Sequence, residues 1–373
     1  MTPGGPRPTS GTVLFVLASY RRDAPAGIER AIAGLTTGLN ATGHRSLIAT
    51  AAPHPPDDPD VVPLQLPVSF PCDDDALRAC IENNRPALAA QLGALAARTR
   101  ADVIVYADAL WGLGRIAADL PVRAVLAVHV VGDPQDLRPA LDSADTVISP
   151  SATVLHEANA QGYRTDSWRV VPNPLLIDPD DVPRPDAAER EQLRRRGPVR
   201  VAARLGREKG VLELLAARPS GPRTRPVEVT LARAGFEEHP GGQTTLLAAC
   251  QTAATAAGAT LHPPLRWAQV PAWLARAAVT IVPSLRETFG LVAAESLSAG
   301  TPVIAYSVGN LPDLIGDAGI LVPPDRGPAG LWEAVKTLLT DPLRYSATCG
   351  AAYYRSRDYR PTTVADAFLK AVW

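Results

Sequence analysis

Short, continuous apolar runs alternate with longer amphipathic stretches twice along this chain, and that alternation restricts the fold more than any other feature. In the first half the apolar runs are residues 12–18, 46–51, 102–106, 124–131, 146–149 and 169–171. Helical spacing fits residues 28–40, 75–100 with a break before Pro86, and 152–161. Strands that are apolar on both faces and separated by helices predict a parallel sheet covered on each side. The pattern resumes after a break, with strands expected at 199–203, 227–231, 260–262, 279–282, 303–305 and 320–322. Helices fit 210–217, 244–257, 268–277, 290–299, 328–340 and the C-terminal stretch.

The break is rich in proline and charge, and its acids cancel most of the charge of Arg194, Arg195 and Arg196. It reads as a solvated connection between domains. The expected organisation is an N-terminal Rossmann-like domain over 1–176, a linker over 177–198 and a second Rossmann-like domain over 199–355. A final helix over 356–373 is expected to pack back on the first domain. A chain of 373 residues has the length for two such domains. Two domains on one linker make a cleft, and ligands of open α/β sheets sit at the carboxyl ends of the strands.

Composition narrows the partners. A formal net charge of -1 gives no electrostatic reason to expect nucleic acid. The four cysteines, Cys72, Cys80, Cys250 and Cys349, form no CxxC pair, which fits a reducing compartment. The first residues lack the charged and apolar regions of a signal peptide, and no segment has the roughly 18 apolar residues that span a bilayer. The expectation is a cytoplasmic protein with no stable membrane insertion.

Two segments carry chemistry. In PSLRETFGLVAAESLSAG, residues 283–300, a strand is followed by a loop with Glu287, then by Phe289, Gly290 and Leu291 at the start of a helix that holds Glu295. Gly290 permits close backbone approach, and the free amides of a helix start favour an anion. Eight residues of helix would set the two carboxylates roughly 12 Å apart, the reach from a sugar ring to a ribose across a pyrophosphate. Surface glutamates on a capped helix account for the spacing equally. In AARLGREKGV, residues 202–211, Arg204 and Lys209 follow a strand, and both can reach a diphosphate. Two solvated cations on a turn are the alternative.

Taken together, these segments resemble the family 4, or group 1, glycosyltransferases. Arg204 to Gly210 is similar to that family's R-x(4,5)-K-G element, and Glu287 to Glu295 to its E-x7-E element. Val171-Pro-Asn-Pro resembles V-P-N-G with Pro174 in place of glycine. Ala26-Gly27-Ile28-Glu29 resembles the N-terminal G-G-I/V-E loop with Ala26 in place of the first glycine. The resemblance implies a GT-B fold: two α/β Rossmann-like domains facing across a cleft. It also implies roles. Arg204, Lys209 and the amides near Phe289, Gly290 and Leu291 would neutralise the leaving diphosphate. Glu295 would hold the ribose and Glu287 the donor sugar, and Gly27 would admit the phosphates. His129, at the end of its strand, would lie near the sugar; on its own it reads as a core histidine.

The implied reaction moves a sugar from a nucleoside diphosphate sugar to an acceptor with retained configuration, the leaving phosphate assisting the acceptor's deprotonation. No cofactor and no metal are expected. The aspartate tracts at 73–75 and 178–181 imitate a DxD metal motif but lie in loops, and the cations take the place of a metal. Asp108, Asp133 and Asp136, with Asp23 and Glu29, fall near carboxyl ends of first-domain strands. They suggest a small polar acceptor bearing an amine, such as an aminocyclitol or amino sugar of specialised metabolism, for example antibiotic biosynthesis. An epimerase or phosphorylase on the same fold, or a non-catalytic nucleotide-binding homologue, remain as alternatives. A dehydrogenase is disfavoured, because the loop after the first strand lacks G-x-G-x-x-G.

Overall fold

The computed structural model describes residues 10–22, 27–51, 58–69, 72–107, 111–219, 225–234 and 241–373. The chain divides into two compact units: residues 1–176 with 361–373, and residues 177–360.

The first unit runs β1 (Thr12–Leu17), α1 (Gly27–Ala41), β2 (Arg45–Thr50), β3 (Val61–Pro63), α2 (Asp74–Asn83), α3 (Arg85–Thr99), β4 (Val103–Tyr106), β5 (Arg123–Ala127), α4 (Pro134–Ser143), β6 (Thr146–Ser149), α5 (Ala152–Ala160) and β7 (Arg169–Val170). Its strands form one parallel sheet in the order β3-β2-β1-β4-β5-β6-β7. The apolar runs explain it: Val13 to Val16 and Val103 to Val105 are almost wholly buried, as strands covered on both faces must be.

The second unit runs α6 (Ala187–Arg196), β8 (Val199–Arg204), α7 (Val211–Ala216), β9 (Val227–Ala232), α8 (Gly242–Ala257), β10 (Thr260–His262), α9 (Val270–Ala275), β11 (Val279–Val282), α10 (Leu291–Ser298), β12 (Val303–Tyr306), α11 (Leu311–Ile315), β13 (Gly319–Val322), α12 (Gly327–Thr340) and α13 (Pro342–Ser356). The sheet is again parallel, in the order β10-β9-β8-β11-β12-β13. The final helix, α14 (Pro361–Val372), belongs to the first unit. It lies against α1, and Phe368 meets Phe15 with ring centroids 6.2 Å apart. A side chain at Gly38 would stand 2.0 Å from the Pro361 carbonyl oxygen, so glycine permits this close approach.

In each sheet the chain reverses direction of winding beside one strand. β1 lies between β2 and β4, and β8 lies between β9 and β11. The loops after β8 and β11 are therefore neighbours at the carboxyl edge, where such sheets bind ligands.

The structure corrects three expectations. Residues 177–198 are not a solvated linker but part of the second unit. Asp186 and Glu189 close a capping box on α6. Buried Arg190 donates to the carbonyls of Ala277 and Ala299 and to Thr301. Arg194 donates to the Leu339 carbonyl and pairs with Glu191, whereas Arg195 and Arg196 remain exposed. Second, β5 ends at Ala127, which leaves His129 beyond the strand. Third, α4 adds a helix to those the sequence pattern suggested, with Pro134 in its first turn and Pro139 tolerated inside it.

Candidate functional site

The second unit brings the two chemical segments together. β8 ends at Arg204, and residues 207–209 form a short 3-10 turn that closes on Gly210. Gly210 has φ +63°, and a side chain there would lie 2.3 Å from the Pro283 carbonyl oxygen. Only glycine suits both the left-handed backbone and the contact. The Leu285 amide donates to the Glu208 carbonyl at 2.8 Å, which ties the turn after β8 to the loop after β11.

Side chains join the same two loops. Lys209 Nζ lies 2.8 Å from Glu287 Oε2, with both side chains mostly buried. Arg204 pairs with Glu208 at 2.6 Å and is more open to solvent. The Glu287 backbone is held from the other side: its carbonyl accepts from the Asn310 amide at 3.1 Å, and Asn310 Nδ2 donates to the Phe289 carbonyl at 3.0 Å. Gly309, at φ +53°, makes room, since a side chain there would fall 1.9 Å from the Glu287 oxygen. Gly290, at φ +105°, precedes Leu291, the first residue of α10. The first-turn amides of a helix have no partner within it, so this end favours an anion.

Glu295 lies in the second turn of α10 and is 2% exposed. Trp267 Nε1 donates to its Oε1. Trp267 follows β10 and carries no motif, so its part in the site is not visible from sequence. Among the described residues no three His, Cys, Asp or Glu side chains group as metal ligands. The aspartate tracts have structural partners instead: Asp73 caps α2, Asp75 pairs with Arg78, and Asp180 bonds Tyr353 and Arg360.

The first-unit candidates separate. Gly27 is the first residue of α1 and exposed. Asp108 and Asp23 lie outside the described residues. His129 is half-buried and lines a small cavity with Ser149 and Asn173. Its Nδ1 is buried and has no hydrogen-bond partner, and desolvation pulls the imidazole down to about 4, so it is neutral at physiological pH.

Two acids expected on an open rim are not there. Asp136 is 1% exposed and bridges Arg78 Nε at 2.8 Å and Arg115 Nη2 at 2.9 Å. A buried carboxylate between two guanidinium groups is satisfied internally and has no face left for an acceptor. Glu29 is buried in α1, accepts from Ser19 Oγ at 3.0 Å, and is pushed up to about 7 by burial. Asp133 is exposed but caps α4 by accepting from the Gln135 amide.

Residues 25–178 match the family model described as Glycosyltransferase Family 4, and residues 199–341 match the one described as Glycosyl transferases group 1. The chain belongs to the group 1, family 4 glycosyltransferases. Within this glycosyltransferase family, D-inositol 3-phosphate glycosyltransferase of Streptomyces bingchenggensis is 38% identical over 117 residues, 30% of this chain and 26% of that protein. Glycogen synthase of Mycobacterium tuberculosis is 34% identical over 179 residues, 46% of this chain and 42% of that protein. The matched stretches thus span less than half the length of these curated relatives. Sucrose-phosphate synthase from Thermosynechococcus elongatus superposes with a TM-score of 0.74 at 21% identity, over 94% of this chain and 95% of that one. The two Rossmann-like units are those of the GT-B fold. Among the described residues, no helix is long and apolar enough to cross a membrane.

Proposed function

We propose that this protein transfers a glycosyl group from a nucleoside diphosphate sugar to a small polar acceptor, with retention of anomeric configuration and without a metal ion. One observation carries the reading: Arg204 closes β8, and the turn that follows, which holds Lys209, is bonded to the Glu287 loop beside the start of α10. In this reading the two cations and the helix-start amides supply positive charge where a departing diphosphate gains negative charge. Preorganised donors of this kind lower the barrier because they need no reorganisation during reaction. In this reading Glu287 contacts the donor sugar and Glu295, oriented by Trp267, contacts the ribose. Gly27 admits the phosphates, and neutral His129 accompanies the sugar without repelling a developing oxocarbenium ion.

The acceptor is assigned to the first unit. Asp136 and Glu29 are turned inward, so an amine on it would be met by Asp133, Asp108 or Asp23.

The test is a thermal-shift screen with UDP, GDP, ADP and dTDP, followed by transfer assays in excess EDTA. A ligand at 100 times its dissociation constant stabilises by about 2.7 kcal/mol. The anomeric proton of the product, read by NMR, reports retention. No shift with any of the four nucleotides overturns donor binding. Loss of transfer in EDTA, restored by magnesium, overturns metal independence, and an altered sugar from donor alone identifies an epimerase.

A further inference from the structure

We propose that Glu208 is a built-in counter-ion that competes with the diphosphate for Arg204 and so limits how tightly the nucleoside diphosphate is held. The inference rests on the reading that Arg204 faces that diphosphate. Glu208 Oε1 lies 2.6 Å from Arg204 Nη2, with side-chain exposures of 39% and 40%. The carboxylate is placed by the chain around it. The Glu208 carbonyl accepts from Leu285, and the next amide, of Lys209, donates back to the Gly206 carbonyl at 3.1 Å. Gly206 has an extended backbone, so left-handed geometry does not explain this glycine. A side chain there would stand 2.3 and 2.4 Å from the two Glu208 carboxylate oxygens. The missing side chain is the space the carboxylate occupies.

The two pairs at this turn differ. Lys209 and Glu287 are mostly buried, and Glu287 arrives from a separate, braced loop. Arg204 and Glu208 are open to water, and an exposed pair at this spacing is weakly held and readily broken. Arg207, between them on the turn, is exposed. An incoming diphosphate would take the Arg204 fork from a single carboxylate oxygen, because phosphate can accept from the guanidinium in bidentate fashion. When the nucleotide leaves, Glu208 takes the guanidinium back. Breaking the Arg204–Glu208 pair takes free energy from phosphate binding, and re-forming it helps to displace the phosphate, so the nucleotide departs more readily.

The experiment compares wild type, Glu208→Gln, Arg204→Gln and the double variant by titration calorimetry. The probes are UDP, GDP, ADP and dTDP, each with its monophosphate, at two salt concentrations. Glutamine keeps the size and a hydrogen bond to Arg204 while removing the charge, and Glu208→Ala is the second variant, in which Gly206 is no longer crowded. Both should bind the diphosphate about 2- to 5-fold more tightly than wild type, as loss of a competing exposed ion pair implies. The monophosphate, lacking the distal phosphate, should gain less than about 2-fold. In the Arg204→Gln background the gain should vanish. Unchanged or weaker diphosphate binding in both single variants overturns the counter-ion role, and weaker binding identifies Glu208 as a support for Arg204 instead. An equal gain in the Arg204→Gln background also overturns it. If wild type binds none of the four diphosphates, the functional reading fails first and this inference falls with it.

Discussion

Lys209 Nζ and Glu287 Oε2, 78 residues apart in sequence, meet at 2.8 Å and clasp the loops after the paired strands β8 and β11. The ammonium is thereby held where the two loops and the start of α10 converge. Replacing Lys209 or Arg204 with alanine removes charge from that point. Each variant should lower turnover by at least about 100-fold while circular dichroism and the melting midpoint show a folded chain. Full turnover in both purified variants would remove the diphosphate role.

Glu295 depends on Trp267. A carboxylate at 2% exposure needs its hydrogen bonds, and the indole N–H supplies one. Trp267→Phe should reduce the unfolding free energy by about 1–3 kcal/mol in urea titration. It should also weaken nucleotide binding, because Glu295 loses its orientation. In a Glu295→Gln background the same substitution should cost less. Equal costs in both backgrounds would show that only ring packing is involved.

Much of this was legible in sequence because both sheets are parallel and buried, so their strands are apolar without alternation and stand out from the helices between them. The Glu287 loop begins after β11 ends at Val282, as the sequence pattern expects, and Arg204 closes β8, one residue beyond the expected strand end. Long-range pairing was hidden. Asp136 reads as a rim acid until Arg78, 58 residues earlier, and Arg115, 21 residues earlier, are seen around it. Nothing local marks those partners. Trp267 likewise gains meaning only through Glu295, 28 residues later. The helix within 177–198 did carry a signal, the Asp186-x-x-Glu189 capping box, outweighed by the surrounding proline and charge.

Glu29 sets a pH dependence. Burial raises it to about 7, so the folded chain binds its proton more tightly than the unfolded chain does. The sign follows by linkage: between the unfolded value of 4.5 and about 7 the native state carries more protons, so stability falls as pH rises and levels off above 7. The loss is at most about 3 kcal/mol, from the size of the shift. His129 acts oppositely, since its depressed value of about 4 costs stability as pH falls below 6.5. Comparing Glu29→Gln with wild type cancels that contribution. The variant should match wild type near pH 4.5 and exceed it at pH 8, measured by urea unfolding. A constant difference between the two pH values would show that Glu29 is not held protonated.

Asp133 and Asp136 stand three residues apart, and the structure gives them separate tasks that substitution can split. Asp136→Asn should be costly, because it breaks two ion pairs around a side chain that is 1% exposed and leaves Arg78 and Arg115 without their shared carboxylate. Removing one member of a buried ion pair typically costs about 3–5 kcal/mol. The exposure of the arginines, 21% and 18%, argues for the lower end. Asp133→Asn should leave stability nearly unchanged, since asparagine caps a helix about as well as aspartate. If Asp133 also meets an amine on the acceptor, its variant should raise the acceptor KM without moving the melting midpoint, and the wild-type KM should rise with salt. An acceptor KM that ignores both salt and Asp133→Asn excludes the amine, whereas a stable Asp136→Asn protein would mean that the buried carboxylate is not the centre of that ion network.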